Sequence, residues 1–564
     1  MTLSAAGARA WEALAAGRPV GEAGPGAGVL ARRLVESGLA HPLPPAWPSG
    51  DPARVNAGGP VTGGLAARTP VTAVLPVRDG AAGLGDLVEA LADRCAEVIV
   101  VDDGSTDATS GVAAAAGARV VRHEHPRGPA AARQAGAAAA RTPFVLFCDA
   151  DIRLPDVAAP RPGAWPGAGE RRADRRDRLP RPGAAPGPGR PISDEVGAQA
   201  PVDQATGGEA TCDPVLSEPG PGDAVERRVD WLGLLLGHLA DPAVAAVAPR
   251  VASPVPAGRR AGLLARYESA RSPLDLGPRP AAVRPGSRVS YVPTAVLLIR
   301  RELVGFDPAL RYGEDVDLVW RLAAAGWSVR YEPAAVVQHR PRSDWPGWAR
   351  QRFGYGSSAG PLAARHPTPL RPPGPAGVAA AAALAVAAVP GGPRGRAVTL
   401  AVAAVTAGRA VRTASRLSRR LAAAPRPGRL AWVMVLAGRR FALEAAADNI
   451  RRGWWPPLVA SRPGRRVFAA GVVLPAARDW WVTRPAVGFA PYVVLRMLDD
   501  AAYSAGVWWG CARAATARPL VPAPPAWLTR AAARRGGQYT GDRTTGGEDR
   551  APRPGVRVRE GRRP

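Results

Sequence analysis

The run Phe144-Val-Leu-Phe-Cys-Asp-Ala-Asp151 decides the fold of this chain. Five apolar residues followed by two carboxylates predict a short buried strand that runs out into Asp149 and Asp151. In open α/β sheets, ligands bind beyond the carboxyl ends of the strands, so both carboxylates are expected at a binding edge. Asp is also favoured in turns and helix caps, so the pair alone does not distinguish a metal site from a solvated turn.

Helical and strand patterns alternate in the residues before this run. The predicted elements are strand 71–77, helix 84–91, strand 97–101, helix 109–116, strand 118–122 and helix 130–140. Alternation at this spacing predicts βαβ units and a mainly parallel sheet, which is an α/β fold of the nucleotide-binding type. The second strand runs into Asp102 and Asp103, so these carboxylates are expected at the same sheet edge as Asp149 and Asp151.

A second acidic cluster lies in Gly313-Glu-Asp-Val-Asp-Leu318. The apolar spacing that follows predicts a helix with Glu314 and Asp315 in its first turn, where the helix dipole favours carboxylates. Acidic residues are also ordinary stabilisers of helix N-termini, so the cluster alone does not distinguish a functional site from a structural one. A predicted strand at 329–333 is followed by His339; an isolated His at a strand end is commonly structural.

The segment Asp102-Asp-Gly-Ser-Thr-Asp107, the Asp-X-Asp motif and the Gly-Glu-Asp-Val-Asp-Leu segment together resemble the GT-A glycosyltransferases of family 2. The resemblance implies a Rossmann-like GT-A domain that uses a nucleotide diphosphate sugar. It implies donor contacts at Pro76, Val77, Asp102, Asp103, Arg133 and Asp149. It also implies Mg²⁺ or Mn²⁺ on Asp149, Asp151 and His339; carboxylate oxygens are ligands that both ions accept.

The same resemblance implies that Asp315 is the general base that deprotonates an acceptor hydroxyl, with inversion of the anomeric centre in a single displacement. Glu314, Trp345 and Arg352 are assigned to the acceptor side. Flat aromatic faces suit sugar rings and Arg suits a diphosphate. Packing on the flank of the domain explains the Trp and the Arg equally well.

The order of the domains indicates a particular group within family 2. A helical unit containing Arg32-Arg-Leu-Val-Glu-Ser-Gly-Leu-Ala-His-Pro42 precedes the transfer domain, and Leu495-Arg-Met-Leu-Asp-Asp-Ala-Ala-Tyr503 follows it. This order resembles the glycosyltransferases of mycofactocin systems. It implies transfer of a hexose, glucose first, from UDP-glucose to the mycofactocin precursor peptide or its processed product. Two alternatives stay open: a family 2 enzyme of cell-envelope glycan synthesis, and a catalytically inactive peptide-binding scaffold.

Composition shifts divide the chain into five expected parts. They are a winged-helix-like peptide-recognition fragment (1–45), a linker (46–69), the GT-A domain (70–365), an Ala-rich helical region (366–530) and a disordered tail (531–564). Inside the GT-A domain, residues 156–229 have almost no apolar periodicity, and structureless loops of this length are uncommon in compact domains. We interpret this stretch as a disordered insertion or a stretch read out of frame, and less readily as a mobile lid.

The formal net charge of +27 favours anionic partners such as nucleic acid, acidic membranes or phosphorylated ligands. No basic strip interleaved with aromatic residues marks a nucleic-acid face, so nucleic acid is not expected. The four scattered cysteines form no CxxC pair and fit a reducing cytosol. Apolar runs near the C-terminus are broken before the roughly twenty residues that a membrane crossing takes. We therefore predict a cytoplasmic protein, either free or in peripheral contact with the inner face of the plasma membrane.

Overall fold

A computed structural model of the chain describes residues 5–24, 26–36, 40–44, 69–155, 230–254, 262–340, 344–366, 393–422 and 426–521. The predicted insertion (156–229) and the predicted tail (531–564) lie outside the described residues. So does the predicted linker (46–69), apart from Thr69.

A mixed sheet of nine strands forms the centre of the described chain. The strands are β1 (Thr69–Val77), β2 (Cys95–Asp102), β3 (Arg119–Arg122), β4 (Phe144–Cys148), β5 (Ile152–Arg153), β6 (Val244–Ala252), β7 (Ala281–Val283), β8 (Val296–Arg300) and β9 (Ser328–His339). Their order across the sheet is β3-β2-β1-β4-β8-β6-β9-β5, and β7 pairs with β9.

The first half of the sheet is the predicted parallel unit. Strands β3, β2, β1 and β4 pair in parallel. The helices that connect them are α3 (Leu84–Ala92), α4 (Thr109–Ala115) and α5 (Pro129–Ala139). Because parallel strands all end at one edge, Asp102 and Asp149 lie at the same edge, as predicted from the sequence.

The second half of the sheet departs from the mainly parallel arrangement that the sequence predicted. Strand β8 runs antiparallel to both β4 and β6, and β9 then runs parallel to β6. The alternation of helices and strands does not reveal this reversal, because the direction of a strand depends on its partners and not on its own residues. One consequence is that the end of β9 pairs with β5, which sets His339 opposite Ile152.

Helices cover both faces of the sheet and form a C-terminal region. They are α1 (Ala5–Ala15), α2 (Ala27–Glu36), α6 (Trp231–Leu239), α7 (Leu263–Arg271), α8 (Glu314–Ala324), α9 (Trp345–Ser357), α10 (Ala359–Arg365), α11 (Pro393–Arg420), α12 (Pro427–Arg452), α13 (Trp455–Val459), α14 (Arg462–Thr483) and α15 (Phe489–Arg513). Alternate residues of β1, β2, β4 and β8 belong to two separate cores, as the period of two in a strand requires. Leu75 belongs to the core that includes residues of α3 and α6, whereas Val74 belongs to the core that includes residues of α5 and α8.

Close helix packing ties the C-terminal region to the transfer domain. Helix α15 packs against α9 and α10. A Cβ atom added at Gly356 would lie 2.0 Å from the carbonyl oxygen of Tyr503, and one added at Gly506 would lie 2.1 Å from that of Phe353. The absence of side chains at these glycines lets the two backbones touch. None of the helices among the described residues combines the length and the apolar character needed to cross a membrane.

Candidate active site

A cavity of about 1340 Å³ opens at the carboxyl edge of the parallel strands. Ten of the twelve predicted site residues line it: Pro76, Val77, Asp103, Arg133, Asp149, Asp151, Glu314, Asp315, His339 and Arg352. The other two, Asp102 and Trp345, are not part of its lining. The fold therefore gathers residues from β1, β4, α5, α8, β9 and α9 around one space.

The Asp-X-Asp motif lies where β4 ends. The backbone N–H of Asp149 donates to the carbonyl of Ala295 at 2.9 Å, which keeps this turn beside β8. The pairing of β5 with β9 brings His339 to Asp151, and Nε2 of the ring lies 3.0 Å from Oδ2 of the carboxylate. The sequence motif and the distant His thus meet through the antiparallel half of the sheet.

The ligand types of this group, two carboxylates and an imidazole, suit a divalent cation, but among the described residues their ligand atoms do not all lie within 4.8 Å of one another. Burial, followed by the charge of Asp151, raises the pKa of Asp149 even though Arg133 lowers it. Nearby carboxylates of this kind are stabilised by an added positive charge. Nδ1 of His339 is buried and has no hydrogen-bond partner among the described residues. Two carboxylates and an imidazole are ligands that first-row divalent ions accept.

Arg133 connects the Asp-X-Asp motif to helix α8. Its Nη2 atom donates to Oδ1 of Asp149 at 2.8 Å, and its Nη1 atom donates to Oε1 of Glu314 at 2.7 Å. The guanidinium is buried. A buried cation between two carboxylates holds both in place, because removal of the guanidinium would leave two negative charges without their partner.

Asp315 lies in the first turn of α8, beside the cavity. The turn before it passes through Gly313, whose φ of 80° is in the left-handed region. Oδ1 of Asp315 accepts the backbone N–H of Val316 at 2.8 Å. Burial, followed by the charge of Glu314, raises the pKa of Asp315 to about 7. A carboxylate with this pKa accepts a proton efficiently near neutral pH.

The two carboxylates after β2 hold a loop together. Asp103 accepts the backbone N–H groups of Arg127 and Gly128 at 2.8 and 2.7 Å. Asp102 is fully buried; burial would raise its pKa, but hydrogen bonds from Ser105 and Ser110 and the charge of Arg122 lower it. Their contacts with a nucleotide stay a prediction, and the bonds described here shape the loop that borders the cavity.

The predicted acceptor-side residues have different surroundings. Arg352 is buried, forms an ion pair with Glu268 and donates from Nε to Oδ1 of Asp499 at 2.9 Å. Its charge is therefore already compensated, and a contact with a diphosphate stays a prediction. Trp345 is 45% exposed and packs edge-on against Trp348. These contacts match the alternative of packing on the flank of the domain.

The C-terminal helices contribute residues to the cavity that the sequence did not reveal. Arg452, Asp499 and Tyr503 all line it. The guanidinium of Arg452 lies 4.4 Å from the centre of the Tyr503 ring and donates to Asp500 at 2.7 Å. The pair of adjacent acids inside a largely apolar helix was the available signal, because charged side chains are rarely buried unless they are paired.

His41, His238 and Glu332 form a second cluster, and their ligand atoms all lie within 4.8 Å of one another. Nε2 of each ring contacts Oε2 of Glu332, at 3.1 Å for His41 and 2.9 Å for His238. Nη1 of Arg330 lies 3.3 Å from Nδ1 of His238. Because Arg only donates, Nδ1 accepts and Nε2 carries the proton given to Glu332. This hydrogen bonding suits a contact between the N-terminal unit and the sheet better than a metal site.

Comparison with known proteins identifies several glycosyltransferases that resemble this chain. Residues 72–159 match the domain described as glycosyl transferase family 2. The succinoglycan biosynthesis protein ExoU of Rhizobium meliloti is 42% identical over 93 residues, which are 15% of this chain and 27% of that protein. A mannosyltransferase from Pyrobaculum calidifontis, solved with GDP-Man and Mn²⁺, is 15% identical, with a TM-score of 0.37, and the match covers 86% of this chain and 95% of that one. The fold and the matched domain define a GT-A glycosyltransferase of family 2.

A longer match gives the narrower family. The pre-mycofactocin glycosyltransferase of Mycobacterium tuberculosis is 34% identical over 515 residues, which cover 87% of this chain and 86% of that protein. The chain belongs to the family of the pre-mycofactocin glycosyltransferases. The resemblance predicted from the motifs and the domain order is thereby confirmed.

Proposed function

We propose that this chain transfers a hexose, with glucose as the first candidate, from a nucleotide diphosphate sugar such as UDP-glucose to the mycofactocin precursor peptide or its processed product. The observation that carries the proposal is the convergence of Asp149, Asp151, His339 and Asp315 on one cavity. The relative named for pre-mycofactocin supports the acceptor. The proposed location is the cytoplasm, with peripheral contact at the inner face of the plasma membrane.

On the donor side, Asp149, Asp151 and His339 would hold the metal, Mg²⁺ or Mn²⁺. A cation bound there supplies positive charge beside the leaving diphosphate. Pro76, Val77 and Asp103 line the part of the cavity at the ends of β1 and β2, and they are the proposed contacts of the nucleoside. Arg133 keeps Asp149 and Glu314 in a fixed relation, so the donor and acceptor sides are aligned before substrates bind.

On the acceptor side, Asp315 takes the proton of the acceptor hydroxyl. The hydroxyl oxygen forms a bond to the anomeric carbon while the bond from that carbon to the diphosphate oxygen breaks on the opposite face. One displacement of this kind inverts the anomeric centre. The pKa of Asp315, about 7, leaves a large fraction of the carboxylate available at neutral pH.

The test incubates the full chain with a panel of nucleotide sugars, Mg²⁺ or Mn²⁺ and the peptide-derived acceptor, and mass spectrometry detects the gain of one hexose. We expect UDP-glucose to give this gain and proton NMR of the product to show the inverted anomer. A chelator should stop the reaction, and added Mn²⁺ should restore it. The variant Glu302→Gln should transfer the hexose as wild type does, because Glu302 is exposed in the turn that follows β8.

Three results would count against the proposal. No turnover of any donor would contradict the activity itself. Transfer to envelope glycans but not to the peptide-derived acceptor would contradict the acceptor. A product that retains the anomeric configuration would contradict the single displacement at Asp315.

A further inference from the structure

Helix α15 (Phe489–Arg513) has an inverted distribution of polar and apolar side chains. The charged residues in its interior, Arg496, Asp499 and Asp500, are all buried. Its exposed positions before Arg513 carry only apolar side chains: Phe489, Ala490, Pro491, Val494, Met497, Leu498, Ala501, Ala505, Trp508, Trp509 and Ala512. A surface helix of a globular protein ordinarily shows the reverse pattern. A contiguous apolar face of this length marks a surface that meets something less polar than water.

The buried side of the helix explains why it does not rotate to hide this face. Asp499 accepts hydrogen bonds from Tyr267 at 3.0 Å and from Arg352 at 2.9 Å. Asp500 forms ion pairs with Arg451 at 2.6 Å and Arg452 at 2.7 Å. Rotation would break these pairs and leave buried charges uncompensated, which is strongly unfavourable. The orientation of α15 is therefore fixed from inside, and its apolar face points outward.

The net charge of the C-terminal region favours anionic lipid over a second copy of the chain. Residues 393–521 contain 21 arginines and only five acidic residues. Helix α14 packs against α15 and exposes the arginines Arg462, Arg465, Arg466 and Arg478. Two copies that met at this face would bring like charges together, whereas acidic headgroups would neutralise them.

The aromatic residues are those that concentrate at the boundary between lipid and water. Trp508 and Trp509 lie in the exposed stripe, and on α14 the exposed Trp481 ring lies 3.9 Å from the guanidinium of Arg484. Trp and Arg together are typical of helices that lie in the plane of a bilayer surface. At 1.5 Å per residue, the stripe from 489 to 512 is about 36 Å long.

We infer that the outer face of α15 docks on an anionic lipid surface. The inference deepens and rests on the proposed membrane location, but it does not depend on the proposed sugar or acceptor. Asp499 and Tyr503, on the inner side of the same helix, line the active-site cavity. Docking would therefore hold the acceptor end of the cavity about one helix diameter, roughly 10 Å, from the lipid.

The test is sedimentation of the full chain with vesicles of phosphatidylcholine alone and of equal parts phosphatidylcholine and phosphatidylglycerol. We expect binding to the mixed vesicles, weakened by salt, because headgroup charge contributes to it. The double variant Val494→Glu, Trp509→Glu places charges at positions that are 55% and 53% exposed. It should bind the mixed vesicles at least roughly tenfold more weakly. Val29→Glu, at a position 61% exposed on α2, is the matched control and should bind as wild type does.

A second variant, Arg465→Glu with Arg466→Glu, should lose the preference for phosphatidylglycerol. Turnover with a soluble acceptor should be unchanged in both double variants, so loss of docking is distinguished from failure of the proposed reaction. The inference is overturned if wild type does not sediment with mixed vesicles, or if the Val494→Glu, Trp509→Glu variant binds them as wild type does. It is also overturned if wild type forms a dimer that this variant abolishes, since the face would then serve self-association.

Discussion

Arg133 and Glu314 form a buried ion pair across 181 positions of sequence, with Nη1 2.7 Å from Oε1. The second nitrogen of the same guanidinium binds Asp149 at 2.8 Å. The end of β4 and the first turn of α8 are thus connected by one cation. In the proposed reaction this pair sets the distance between the metal-binding carboxylates and the base.

We predict that Arg133→Met lowers turnover by about 100-fold or more, because small displacements of reacting groups cost this much. It should also lower the free energy of unfolding by about 3–5 kcal/mol, since the buried Glu314 and the half-buried Asp149 lose their partner. Steady-state kinetics and urea unfolding measure the two effects. Arg9→Met, on the exposed side of α1, should change neither, and turnover close to wild type in Arg133→Met would show that the bridge does not position the site.

The raised pKa of Asp315 predicts the pH dependence of transfer. With a pKa of about 7, the base is increasingly protonated as the pH falls below 7, and kcat/KM should fall about tenfold per pH unit there. Asp315→Asn should abolish transfer at every pH while binding the donor with little change. Calorimetry of UDP-glucose binding separates the two effects. A profile without an acid limb near pH 7 would contradict the role of Asp315 as the base.

The carboxyl group of Asp315 should lower the free energy of unfolding at neutral pH. An Asp in an unfolded chain has a pKa of about 3.9, below the value of about 7 in the folded protein. Between these values the folded state binds more protons, so the free energy of unfolding falls as the pH rises through this window. Asp315→Asn lacks this penalty and should be more stable than wild type at pH 8, with the difference vanishing near pH 4. Thermal unfolding at both pH values tests this, and equal stabilities at pH 8 would contradict it.

Gly313 directly precedes α8, and its replacement should displace the proposed base, Asp315. A Cβ atom at Gly313 would lie 2.9 Å from both Leu362 Cδ1 and Ser358 Cβ, at a φ of 80°. Gly313→Ala should therefore cost about 1–3 kcal/mol of unfolding free energy and lower turnover. Gly326→Ala is the matched control, because Gly326 has a φ of 87° but nothing within 4 Å of the added atom. It should bear only the backbone strain and keep its turnover; equal losses in both variants would mean that the collision is unimportant.

Glu332 on β9 contacts His41 of the N-terminal unit and His238 of α6. Burial would raise the pKa of Glu332, but hydrogen bonds with the two rings and with the N–H of Ala334 lower it to about 2. Glu332→Gln should weaken this contact and cost about 1–3 kcal/mol, with faster hydrogen exchange in α2. Glu302→Gln, at an exposed position, should leave exchange unchanged. Unaltered exchange in Glu332→Gln would show that the unit is held elsewhere.

Several features of this protein follow from its sequence alone. The strand Phe144–Cys148 and its neighbours β1 to β3 agree with prediction within about two residues, because apolar periodicity is a property of a short window. The acids at the ends of β2 and β4 were placed at one edge for the same reason, since parallel strands end together. The motifs around Asp102, Asp149 and Asp315 also predicted the glycosyltransferase family, and the comparisons confirm that prediction.

Only the tertiary structure decided which of the predicted site residues already form ion pairs or hydrogen bonds with other residues. Arg352 pairs with Glu268 and Asp499, and Asp103 holds its own loop. The antiparallel course of β8 and the meeting of His339 with Asp151 also came from the folded chain alone. These contacts join residues far apart in the sequence, and their burial depends on every element packed between them. A local sequence pattern does not identify such partners. The free energy of a buried charge nevertheless depends mainly on them.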